Sequence, residues 1–68
     1  MKNFYDIQQF LKRYGTFIYT GDRMADLELM EEEISELYQS RLIEVRDFQM
    51  ALLIVRRERQ MERDKRKK

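Results

Sequence analysis

The chain has 68 residues, of which 43% are apolar and 40% charged, with two glycines and no proline, cysteine or histidine. So short a chain is one domain at most and buries only roughly 60% of the surface it exposes when unfolded; without cysteine or histidine it has no disulfide and no ordinary zinc site to support a small core. The same absences remove the usual nucleophile–base pairs, so the composition argues against an enzyme and against a bound cofactor.

Net charge is +1, but it is unevenly placed. Residues 1–55 carry six Lys/Arg against ten Asp/Glu, and residues 56–68 carry eight against three, so a basic end follows an acidic body. That asymmetry fits either a nucleic-acid contact or a solvated helix end whose cations complement the helix dipole. The N-terminus MKNFYDIQQF lacks the apolar core of a signal peptide, and the apolar segment MALLIV at 50–55 is far short of the ~20 residues needed to cross a bilayer. The expectation is a cytoplasmic protein with no membrane contact.

In chain order, the first predicted helix covers about 4–14. Asn3 is placed to cap it, Phe4, Ile7, Phe10, Leu11 and Tyr14 form one stripe, and Gly15 suits the left-handed residue that ends many helices. The segment YGTFIYTGDR that follows holds both glycines around Phe17, Ile18 and Tyr19, an unusually apolar content for a connection. A small core short of material predicts that Phe17 and either Ile18 or Tyr19 fold back onto the helices.

The second helix is predicted over about 22–40, with Asp22 as its cap and Thr20 as the competing one. Met24, Leu27, Met30, Ile34, Leu37 and Tyr38 recur at helical spacing. Glu28, Glu31, Glu32, Glu33 and Glu36 lie mostly off that stripe and read as a solvated acidic face rather than a metal site, which in bundles draws ligands from several helices. Arg41 and the adjacent Leu42–Ile43 break the phase, predicting a turn near 40–43 with both apolar side chains tucked inward. A third helix over about 44–62 then presents Val45, Phe48, Leu52 and Val55. Residues 63–68, ending in DKRKK, have no apolar side chain to dock and read as a basic tail outside the 1–62 domain, able to stay disordered.

Two functional readings remain. In the first, the protein binds single-stranded nucleic acid without catalysis: Lys12, Arg13, Arg23, Arg56, Arg57 and Arg59 meet phosphates, and Tyr5, Tyr14 or Tyr19 offers a stacking face. In the second it is a homo-oligomer or protein-interaction module that uses surplus apolar surface on the third helix at Met50, Leu53, Ile54 and Met61.

The run FYDIQQFLKRYGTFIYTGDRMADLELME, continuing into ISELYQSRLIEV, resembles the YqgQ-like family of short bacterial proteins over about residues 3–58. The resemblance implies an all-α three-helix bundle without assigned catalytic activity, and a role in binding single-stranded nucleic acid; the tail beyond Met61 is less typical of it. More loosely, ISELYQSRLIEVRDFQMALLIV is similar to short oligomerisation domains of the SHOCT type, with Arg41 standing where those usually have glycine.

Overall fold

The computed structural model describes residues 1–67 and contains three helices: α1 (Phe4–Lys12), α2 (Arg23–Gln39) and α3 (Val45–Arg66). No strand occurs among the described residues, and the architecture is an all-α three-helix bundle. Helix α2 packs chiefly on α3, and α1 lies against both. None of the described helices is long and apolar enough to cross a membrane.

The ends of α1 and α2 follow from local chemistry. Asn3 accepts a hydrogen bond from the Asp6 N–H (3.0 Å), and Asp22 accepts one from the Ala25 N–H (3.1 Å), each satisfying a donor the helix leaves free. At the C-terminus of α1 the Gly15 N–H donates to the Lys12 carbonyl and the Thr16 N–H to the Leu11 carbonyl, with Gly15 at φ +82°. These are the paired bonds of a Schellman motif.

The end of α2 uses the same motif without a glycine. The Arg41 N–H donates to the Tyr38 carbonyl (3.0 Å), the Leu42 N–H donates to the Leu37 carbonyl (2.9 Å), and Arg41 itself lies at φ +61°. Thus the turn expected near 40–43 forms although its left-handed residue has a Cβ, at a cost that packing on either side must offset. Arg41→Gly is therefore expected to stabilise the fold by about 0.5–1 kcal/mol and to raise the melting temperature by about 3–6 °C. Thermal unfolding followed by circular dichroism measures it; an unchanged or lower melting temperature would show that the arginine side chain contributes more than its backbone costs.

The core comprises Ile7, Phe10 and Leu11 of α1, Leu27, Met30, Ile34 and Leu37 of α2, Ile43 of the turn, and Ala51, Ile54 and Val55 of α3. Met1, Phe4, Ile18, Phe48 and Leu52 pack around it. Several expectations are corrected here. Ile43 is tucked inward but Leu42 is exposed. On α3, Val45 is exposed, because it begins the helix at the end of the bundle, while Ala51 and Ile54 join the core. A helix covered by two neighbours buries a wider arc than one stripe, which removes Ile54 from the expected partner surface and leaves Met50, Leu53 and Met61 on it. Helix α3 also continues past 62 to Arg66, so the segment read as a basic tail able to stay disordered is helical that far; Lys68 lies outside the described residues.

The glycine segment is corrected in a similar way. Ile18 packs on the core, whereas Phe17 and Tyr19 are 66% and 73% exposed. Successive side chains of an extended stretch point to opposite sides. Thr16 donates its hydroxyl proton to Glu33 Oε1 (3.0 Å) and Thr20 donates to Asp26, so the even-numbered side chains face the bundle and the odd-numbered aromatics face outward.

Candidate nucleic-acid interface

The residues expected at phosphates fall into three separate settings. Lys12, Arg13 and Tyr14 sit together at the C-terminal end of α1, where cations complement the negative end of the helix dipole. Lys12 Nζ lies 5.3 Å from the Phe17 ring centroid, and the Arg13 guanidinium lies 5.6 Å from that of Phe10. The Phe10 and Tyr14 rings are 5.3 Å apart and inclined at 60°, so one side of Tyr14 leans on a core residue while the side chain stays partly exposed. Packing of α1 on α3 then brings Arg46 and Met50 to Arg13 and Tyr14, around a shallow groove of about 380 Å³ that Asp47 also lines. Among the described residues no carboxylate pairs with Lys12, Arg13 or Arg46.

Arg23 is in a different place and already occupied. Its guanidinium carbon is 3.8 Å above the Phe4 ring and its Nη1 is 3.8 Å from Glu58 Oε1. Arg56 and Arg59 converge on one carboxylate oxygen, Glu31 Oε1, at 3.9 and 3.2 Å. They clamp α3 to α2, which spends much of the field they would otherwise present to a ligand. Arg57 stands apart and donates to the Lys2 backbone carbonyl. The structure therefore gathers Arg13, Tyr14 and Arg46 at one groove, sets Lys12 over the Phe17 ring, and does not join Arg23, Arg56, Arg57 or Arg59 to them.

Arg46 was not singled out in the sequence. One signal existed: as the second residue of α3 it is a cation near the positive end of a helix, where the dipole disfavours it. Beyond the α3 residues already named, Arg63, Lys65 and Lys67 have no carboxylate partner among the described residues, whereas Arg66 pairs with Asp22 and, at 3.4 Å, with Glu62.

The Asp22–Arg66 pair joins the start of α2 to the end of α3. Asp22 has its pKa lowered, first by the hydrogen bond from the Ala25 N–H and next by that from Arg66. A carboxylate with a depressed folded-state pKa adds stability that is complete above its ordinary range and disappears as pH falls through the lowered value. Asp22→Asn keeps a good capping side chain but removes the charge. Melting temperature measured from about pH 5 down to about pH 2 is expected to fall less steeply in this variant than in the wild type; parallel curves would show that the pair contributes nothing in solution.

The family model described as YqgQ-like matches residues 1–61, a span that contains the Lys12–Arg13–Tyr14 cluster and Arg46. The protein YqgQ of Bacillus subtilis (strain 168) is 41% identical over 58 residues, covering 85% of this chain and 82% of that protein. With a helical bundle built on the shared segment and a match of this extent, the chain belongs to the YqgQ-like family.

Proposed function

We propose that the protein is a non-enzymatic binder of single-stranded nucleic acid, with phosphates held by Lys12, Arg13 and Arg46 and bases stacked on Tyr14 and Phe17. The observation that carries this reading is a groove where Arg13 and Arg46, without carboxylate partners among the described residues, lie with Tyr14, while Lys12, next to Arg13 along the chain, sits over the exposed Phe17 ring. Cations without protein partners attract phosphates more strongly than those in intramolecular pairs, and aromatic stacking is tolerant of base identity. Arg23, Arg56 and Arg59 are left out of this interface because each has a glutamate oxygen within 3.2–3.9 Å that offsets part of its charge.

The test is binding of a fluorescently labelled oligonucleotide of mixed sequence, measured by anisotropy at several salt concentrations. With three phosphate contacts on a single strand, the logarithm of affinity falls with the logarithm of salt at a slope of about −2. No binding at low ionic strength would end the reading. The alternative, self-association through α3, draws on the exposed Met50, Leu53 and Met61. Sedimentation of nucleic-acid-free protein separates the two, a stable dimer favouring the alternative.

A further inference from the structure

A second and larger groove, about 670 Å³, lies away from that cluster, between the N-terminal half of α1, the Tyr19–Gly21 stretch and the start of α2, with Glu58 of α3 at its edge. Tyr5 and Tyr19 line it, and both are largely exposed. Asp26 also lines it although only 4% of its surface is exposed. The two oxygens of this carboxylate are used differently. Oδ1 accepts from the Thr20 N–H and from the Thr20 hydroxyl, both at 2.7 Å, while Oδ2 accepts from no described residue.

Oδ2 is not sealed from solvent, so it stays open to a donor that enters the groove, while the bonds from Thr20 to Oδ1 hold the carboxylate in place. The groove also has one carboxylate in excess. Its one guanidinium, Arg23, is held on the Phe4 ring and paired with Glu58, which leaves Asp26 without a cation partner among the described residues. Anions are disfavoured here. An organic cation would gain both a charge-assisted hydrogen bond and contact with exposed aromatic rings.

We propose that this groove binds a guanidinium or alkylammonium group, with Asp26 Oδ2 as its acceptor and Tyr5 and Tyr19 as its aromatic walls. The site uses none of Lys12, Arg13 or Arg46, so it stands or falls independently of nucleic-acid binding. Its ligand is either a free small amine or the arginine or lysine side chain of another protein.

The experiment is a titration of the full chain with agmatine at constant ionic strength, followed by proton–nitrogen correlation spectra. Saturable shifts of the Gly21, Arg23 and Asp26 amides are expected. Asp26→Asn keeps an oxygen for Thr20 but presents an amide in place of the carboxylate charge, and should weaken binding about tenfold; Tyr19→Ala should weaken it about threefold. Because Tyr19 is exposed, that variant keeps the test decisive if Asp26→Asn fails to fold. A blocked Gly-Arg-Gly peptide distinguishes the sources: tighter binding than agmatine identifies a protein side chain, weaker binding a free amine, and either supports the site. Shifts that do not saturate, shifts confined to Glu32, Glu33 and Glu36, or an affinity unchanged in Tyr19→Ala would overturn it.

Discussion

Ile34→Ala is expected to leave most molecules unfolded at room temperature. Ile34 is 0% exposed and belongs to the cluster in which all three helices meet. Truncating a buried isoleucine to alanine costs about 2–5 kcal/mol, from lost transfer energy and from the cavity left behind. A core in a chain below about 70 residues rarely supplies more than about 3–5 kcal/mol in total. The substitution therefore removes a large part of the stability available, whereas Leu53→Ala, at a side chain 63% exposed, should cost less than about 0.5 kcal/mol. Urea unfolding of both variants, followed by helical circular dichroism, compares them directly. Similar midpoints would mean that burial in this bundle is spread more evenly than the packing implies, or that Leu53 is covered by a second copy.

Replacing both Arg13 and Arg46 by glutamate is expected to weaken single-stranded oligonucleotide binding by about two orders of magnitude and to reduce the salt slope by about 1.4, near 0.7 for each phosphate no longer neutralised. Both side chains are solvent-exposed, so the double variant should keep its fold, which circular dichroism verifies. The informative comparison is Arg56→Ala. Arg56 was an equally strong candidate in sequence, but its guanidinium stands 3.9 Å from a glutamate that Arg59 also contacts. Its removal should leave the salt slope unchanged. If Arg56→Ala lowers the slope and the Arg13–Arg46 variant does not, the interface lies on the α2–α3 edge instead.

Much of the fold was readable because it rests on local rules. Asn3 and Asp22 could be named as caps from their position before periodic apolar residues, and Gly15 as a terminator, because each role depends on neighbours a few residues away. The α2 stripe was legible for a related reason: Glu28, Glu32 and Glu36 on its exposed side leave one apolar face to bury, although Glu31 and Glu33, expected on the same solvated face, reach α3 and Thr16. The α3 stripe was less legible. Within Met50–Val55 every residue is apolar, so periodicity could not separate Ile54, which is buried, from Leu53, which is not.

The candidate site was legible only at Lys12–Arg13–Tyr14, three consecutive residues at a helix end. Arg46 joins them through the packing of α1 on α3, across more than thirty positions of sequence. No local pattern could show that Arg23, Arg56 and Arg59 are engaged by Glu58 and Glu31, since each partner lies on another helix. Asp26 was likewise invisible: in sequence it is an ordinary first-turn acid, and its burial follows from the glycine segment lying over it through Thr20.

Sequence alone determined the number of helices, the caps of the first two and the left-handed turn at Gly15, because these are decided by chain chirality, backbone hydrogen-bond satisfaction and the 3.6-residue period. Tertiary structure decided which aromatics of the YGTFIYTGDR segment face outward, which arginines keep an unspent charge and where two grooves open. Those outcomes depend on which side chains distant parts of the chain bring within a few ångströms, where opposite charges neutralise each other and extended backbone takes its facing from the surface beneath it.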